Sequence, residues 1–237
     1  MRYALRVETE RGRPRAERTE STRADERTES ERADERADLL REIVRQTGIT
    51  DERILAAFSR VPRHRFVPEQ PRQAYADRAL PIGHQQTISQ PSMIALMLAE
   101  LDVRPEHRVL EVGAGSGYAA ALLGELARDV TAIEIVKELA VRARSTLAEL
   151  HADHVTVIEG NGREGYAPRA PYDRILVSAA PEEIPPALLS QLAPSGRIVV
   201  PIGDDLGQDL VIGEKSQAGV LSFRNTVPCI FVPLIPS

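Results

Sequence analysis

The chain is poor in cysteine, tryptophan, lysine and long apolar runs. Its 237 residues contain one cysteine, Cys229, and no tryptophan. A single thiol excludes an internal disulfide and a cysteine-built metal cluster. The histidines His64, His84, His107, His151 and His154 fall in no metal-ligand spacing such as His-Glu-x-x-His, so no metal is expected. Positive charge is not in excess: the net charge is −5, which gives nucleic acid or an anionic membrane no purchase. No run approaches the ~18 apolar residues of a membrane span, and the first residues carry no apolar targeting segment. A cytoplasmic protein is expected, with no nucleic-acid or membrane partner. Arginine outnumbers lysine 28 to 2, which reads as genome composition rather than chemistry.

What is present divides the chain in two. Residues 1–38 hold a nine-residue quasi-repeat, "ERTESTRAD", "ERTESERAD" and then "ERAD". Twenty-one of these 38 residues are charged, so the segment cannot bury enough apolar surface to offset its ordering entropy. It reads as a disordered extension or a solvated, ion-pair-laced helix. Residues 39–237 read as one globular domain. Residues 39–104 form a helical, loop-bearing part, with "DLLREIVRQTG" a helix closed by Gly48 and "TDERILAAFSRV" a second, capped by Thr50 or Asp51. A third helix runs from Pro91 to about Leu101, with Gln90 as its cap. Residues 105–237 alternate. "RVLEV", "DVTAIE", "HVTVIEG", "YDRILVSAA" and "GRIVVPIG" are strands with helical patterns among them. That spacing predicts right-handed βαβ units and a parallel sheet. "QDLVIGEK" and "VLSFRNTVPCIFVPL" have no helix between them and are expected to finish the sheet antiparallel. The fold class is therefore α/β, a Rossmann-like doubly wound, mostly parallel sheet with antiparallel C-terminal strands and an N-terminal helical lid.

"VLEVGAGSGY" joins the first parallel strand to its helix. Gly113, Gly115 and Gly117 permit a tight turn and close backbone approach to a ligand at the carboxyl ends of the strands. Glu111 stands two residues before the first glycine, and Glu134 closes the next strand, where a carboxylate can grip both ribose hydroxyls. Tyr118 stands where a dinucleotide fingerprint wants Gly or Ala. On these residues alone, a packing turn and a dinucleotide site remain open. The pattern resembles the class I S-adenosylmethionine-dependent methyltransferases. That resemblance implies S-adenosyl-L-methionine as cofactor. It puts the glycine loop by the methionine part, Glu134 on the ribose, and Asn161 and Gly162 of "EGNGREGY" at the adenine.

"HQQTISQPSMIALM", residues 84–97, lines up neutral amides and hydroxyls at the mouth of a helix. An amine or alcohol acceptor would call for a base, and a catechol for metal-binding acids. The sequence marks neither. A carboxylate, with a pKa of roughly 4, is already ionised and needs only to be held in line and kept dry. Hydroxyls and helix-start N–H groups suit that task, since they hold an anion without a quenching salt bridge. The stretch "DRALPIGHQQTISQPSMIALM", with "RVPRHRFVPE" before it, closely resembles the protein-L-isoaspartate O-methyltransferase family, as do "RVLEVGAGSGYAAALL" and the terminal "FVPL". The likeness covers about residues 50–235. It implies methyl transfer to the α-carboxyl of L-isoaspartyl residues in damaged proteins and peptides, followed by collapse of the ester to a succinimide. It implies Ser89 as the catalytic residue. It puts Thr87, Ser89, Gln90 and His84 on the substrate, and Gln86, Thr87 and Ile88 on the cofactor. A monomer is expected.

Three positions depart from the family pattern. Gln85 and Asn161 stand where Gly and Asp are usual, and Ser92 where Tyr or His is usual. Gln85 and Ser92 keep open a related carboxyl O-methyltransferase acting on a dedicated peptide or small molecule.

Overall fold

The computed structural model describes residues 27–204 and 206–235. Most of the charged repeat, residues 1–26, lies outside the described residues. Its remainder is helical, and here the structure corrects the expected helix start at Asp38: α1 spans Glu29–Thr47. A capping box begins it. The Thr28 hydroxyl accepts from the Glu31 N–H at 3.2 Å, and the Glu31 carboxylate accepts from the Thr28 N–H at 2.7 Å. Ion pairs Arg36–Glu29 at 2.5 Å and Arg45–Glu42 at 2.6 Å lace its surface. Only Leu39 and Ile43 are buried, both in its second half, so the first half rests on the cap and the Arg36–Glu29 pair more than on apolar burial. Gly48 ends it at φ 72°, as expected.

The second helix, α2 (Glu52–Arg60), is capped by Asp51 and buries Ile54 and Phe58. The arginine- and proline-rich connection after it holds two short 3-10 turns, Arg63–Phe66 and Pro71–Gln73. It leads to a hairpin, β1 (Leu80–Gly83) and β2 (Gln86–Ile88), and then to α3 (Pro91–Leu101). Ile94, Met97, Leu98 and Leu101 of α3 enter the core. Gln90 is the residue before α3, but its side chain makes no cap bond and donates to the Ser92 hydroxyl at 3.0 Å. Asp77 is the cap instead: its carboxylate accepts from the Ser92 N–H at 2.8 Å.

The domain is then built by alternation. Its elements are β3 (Arg108–Val112), α4 (Tyr118–Gly124), β4 (Asp129–Glu134), α5 (Lys137–Glu149), β5 (Val155–Glu159), β6 (Tyr172–Val177), α6 (Pro186–Gln191), β7 (Leu192–Asp204), β8 (Gly207–Lys215) and β9 (Leu221–Cys229). The sheet order is β5-β4-β3-β6-β7-β8-β9, and the first five strands are parallel. β8 and β9 pair antiparallel, as the missing crossover requires. One apolar cluster, centred on Val109, Ala132 and Leu176, packs under α1 to α5; a second, centred on Leu110, Ile175 and Val200, packs under α6. Cys229 is buried filler at the end of β9, its thiol pushed up to about 11 by burial.

The last strand ends earlier than its apolar text suggests. After Cys229 the chain leaves β8 and crosses to the end of β6. There the Ala180 N–H donates to the Val232 carbonyl and the Leu234 N–H to the Ala180 carbonyl, each at 2.8 Å. The "FVPL" segment thus straps the carboxyl end of the sheet, where the order switches between β3 and β6.

Candidate active site

Four segments converge at that end. The β3–α4 glycine loop supplies the floor. The Gly113 and Ala114 N–H groups both donate to the Ile133 carbonyl at 2.9 Å, which locks the loop to β4. Gly115 has φ 54°, and a Cβ there would press on Ile82 of the hairpin at 3.2 Å. Glycine suits the position because the φ is left-handed and any Cβ would make the Ile82 side chain give way. Glu134 ends β4 with both oxygens engaged: one accepts from the Gly115 N–H at 2.7 Å, the other from the Val136 N–H at 2.8 Å. Its carboxylate therefore sits against the glycine loop.

Glu111 lies deeper and is fully buried. One oxygen accepts from the Ser178 hydroxyl at 3.2 Å, and the other has no partner. Burial pushes its carboxyl up to about 8; the Ser178 bond works against that shift, and the Glu134 charge adds to it. A buried carboxyl with an unpartnered oxygen beside a glycine loop leaves one hydrogen-bonding atom available in the chamber.

The hairpin forms the opposite wall. Pro81 pairs with Thr87 and Gly83 with Gln86, so His84 and Gln85 make a two-residue turn, at φ 52° and 59°. Both turn residues are exposed, and both hold left-handed backbone at the tip. The chain then passes through Ser89 and Gln90 into α3.

Three neighbouring spaces with shared walls result. A cleft of about 340 Å³ is lined by Thr87, Ser89, Gln90, Met93, Ile230 and Phe231. A narrower chamber holds Gln86, Gly113, Gly115, Glu134, Gly162 and Leu234. A second chamber holds Ile88, Ser89, Glu111 and Gly115. Thr87 and Ser178 line all three, and Ser89 joins the cleft to the inner chamber.

Of the residues singled out in the sequence, Gln86, Thr87, Ile88, Ser89, Gln90, Glu111, Gly113, Gly115, Glu134 and Gly162 reach these walls. Three do not. His84 stands exposed at the hairpin tip, outside the residues that line these spaces. Gly117 begins α4 at φ 88° and packs on α5, where a Cβ would meet that of Ala143 at 3.1 Å. Asn161 caps a 3-10 turn, accepting from the Arg163 N–H at 3.0 Å and donating to Glu164 at 3.1 Å. Ser178 and Asp77 were not singled out, and Val232 to Leu234 were marked only as part of the terminal "FVPL" motif, without a role in the site. Ser178 directly follows the apolar run of β6, and that place at a strand's carboxyl end was its only signal.

The model of the protein-L-isoaspartate(D-aspartate) O-methyltransferase family matches residues 34–237. A protein-L-isoaspartate O-methyltransferase of a Polaromonas species is 49% identical over 200 residues, 83% of this chain and 95% of that one. One from Methanoregula boonei is 52% identical over 189 residues, covering 79% and 87%. A crystal structure described as a Plasmodium falciparum protein-L-isoaspartate O-methyltransferase with S-adenosyl-L-homocysteine superposes with a TM-score of 0.74 at 27% identity, covering 84% of this chain and 97% of that one.

Proposed function

The chain belongs to the protein-L-isoaspartate(D-aspartate) O-methyltransferase family, and from that premise we propose how its site performs the family reaction. The enzyme transfers a methyl group from S-adenosyl-L-methionine to the α-carboxyl of L-isoaspartyl residues in damaged proteins and peptides, which starts their repair. The observation that carries the assignment of roles is the pair of hydroxyls, Thr87 and Ser89, standing between the open cleft and the acid-lined chambers.

The chambers fit the cofactor on their own chemistry. S-adenosyl-L-methionine, when bound, supplies an electrophilic methyl on a cationic sulfur, which an acceptor carboxylate takes as an ester. Glu111, with its unpartnered oxygen, offers one hydrogen-bonding atom there. Glu134 would hold the ribose, a role supported by its seat against the glycine loop, and the Gly113–Gly115 backbone would allow the close approach. Gly162, lining the chamber beside the strap, is the adenine contact; Asn161 shapes the turn that presents it.

Ser89 holds the acceptor carboxylate from the cleft side, and Thr87 steadies it from the hairpin. No base is required, because the acceptor is ionised at neutral pH. The rate advantage comes from positioning and from keeping water out. Met93, Ile230 and Phe231 give the cleft apolar walls for the residues beside the isoaspartate. The helix start contributes less than its sequence suggests, because Asp77 already occupies the Ser92 N–H.

No helix among the described residues is long and apolar enough to cross a membrane. The charge of −5 argues against nucleic-acid partners. A cytoplasmic monomer is carried forward as part of the proposal, and sedimentation would check the monomer.

The direct test offers labelled S-adenosyl-L-methionine to two peptides differing only in an L-isoaspartyl or normal aspartyl residue. Base-labile label is expected on the first alone. Ser89→Ala is expected to lower kcat/KM by roughly a hundredfold while S-adenosyl-L-homocysteine binding is kept, in the range of lost transition-state contacts. Label on neither peptide would favour a dedicated acceptor, and full activity of the variant would remove Ser89 from its role.

A further inference from the structure

Arg63 lies in the "RVPRHRFVPE" connection and is among the largest fully buried side chains. A buried guanidinium is costly unless paired. Among the described residues, no carboxylate lies within ion-pairing distance of it. Burial works against its charge; Asp77, Tyr75 and Tyr118 are the titratable groups around it that favour the charge. A guanidinium nevertheless stays protonated. The group lies over the Tyr118 ring, 4.8 Å from its centroid. Nη2 donates to the Ser89 carbonyl at 2.8 Å and, more weakly, to the Arg78 carbonyl at 3.4 Å. Nε and Nη1 have no partner.

Those two carbonyls bracket the hairpin: Arg78 precedes β1 and Ser89 follows β2. Binding two carbonyls needs only neutral donors, and a charge left this poorly paired is a poor way to gain stability. What charge adds is potential. The cation sits one peptide group behind the Ser89 side chain, in a dry region where fields are weakly screened. The acceptor at Ser89 is an anion, held from the front by hydroxyls alone.

We propose that Arg63 is the positioning residue of the acceptor site: it clamps the Ser89 carbonyl and supplies, from behind, the positive potential that selects a carboxylate over a neutral group. Selection without contact leaves the acceptor oxygen free to react, whereas a direct ion pair would lower its nucleophilicity. The inference rests on Ser89 facing the isoaspartyl carboxylate.

The test compares an L-isoaspartyl peptide with its twin carrying an α-carboxamide in place of the α-carboxylate. Affinity of each for the complex with S-adenosyl-L-homocysteine is measured by calorimetry, for the wild type, Arg63→Met and Arg63→Lys. The wild type is expected to prefer the carboxylate. In Arg63→Met that preference falls on the order of tenfold, the carboxamide affinity holds, and S-adenosyl-L-homocysteine binds as before. Arg63→Lys, assayed at about pH 5 so that the buried ammonium is charged while the acceptor carboxylate is still ionised, keeps charge without the fork and retains most of the preference. If Arg63→Met weakens both peptides alike, the role is structural and the inference is overturned. Should Arg63→Met not fold, Arg63→Lys decides: a preference lost with the charge still present overturns it, and a retained one supports it. A wild type that methylates the isoaspartyl peptide yet binds both twins equally overturns the Arg63 role alone; one that methylates nothing removes the acceptor assignment beneath it.

Discussion

Glu111 concentrates the tension of the site in one side chain. The folded protein holds its proton up to about 8, against 4.5 for an ordinary glutamate, because ionising it means leaving an unpaired oxygen charged in the core. The sign follows from linkage. Between those values the folded state binds more protons than the unfolded one, so the Glu111 contribution to stability is fully present below about 4.5 and is lost as pH rises through about 8. The full loss is on the order of a few kcal/mol. His64 acts in the other direction and in another window. Burial, with Arg32, Arg36 and Arg65 nearby, depresses it to about 4, so its contribution is lost as pH falls below 6.5. Urea unfolding of the ligand-free protein between pH 6.5 and 8 therefore isolates the carboxyl. Wild-type stability is expected to fall across that range, and Glu111→Gln to flatten the slope. An unchanged slope in the variant would assign the titration to another group.

At the scale of elements, the acceptor loop is held by groups far from it in sequence. Asp77 ties the start of α3 and thereby fixes the direction in which Ser89 and Gln90 leave the hairpin. Asp77→Ala is expected to cost about 1 kcal/mol, the usual worth of such a cap, and to raise KM for the peptide while leaving S-adenosyl-L-homocysteine affinity unchanged. Asp77→Asn, which still offers an acceptor, restores most of both. Thermal melts with steady-state kinetics would read this, and an unaltered KM in the alanine variant would detach the cap from the acceptor loop. Asp77 also marks where the sequence stops being legible. The strands of the sheet, its parallel majority and its antiparallel end follow from apolar runs with or without helices between them. The glycine loop and Glu134 follow from spacing along one strand-turn-helix unit. Asp77 and Arg63 belong to a connection with no periodicity, and their partners lie 15 and 26 residues away. Nothing local encodes such contacts. The early start of α1 was partly visible: Thr28 and Glu31 carry the spacing of a capping box. No apolar run follows it closely, so the charged text left a disordered extension and a solvated helix both open, and the globular helix was started only at Asp38.

At the scale of the molecule, the site exists only when distant parts of the chain meet. Thr87 comes from the hairpin, Gly113 from the loop after β3, Ser178 from the end of β6, and Val232 to Leu234 from the strap. The strap is bound by two main-chain hydrogen bonds to Ala180 and by the buried side chains of Phe231 and Leu234. A ligand that bridges all four segments binds the folded chain and not the unfolded one, so it must raise the melting temperature. At about a hundredfold excess over Kd the gain is ~2.7 kcal/mol, which for a domain of this size corresponds to a shift of roughly 5–10 °C. S-adenosyl-L-homocysteine is expected to give such a shift with the wild type. A chain truncated after Cys229 keeps the whole seven-stranded sheet but loses the strap. It should still melt cooperatively, at a lower temperature, and show no shift with the same ligand. A truncated chain that still responds fully would mean that the hairpin and the glycine loop hold the cofactor without the strap. The acceptor cleft would then be the only space that Ile230 to Val232 serve to close.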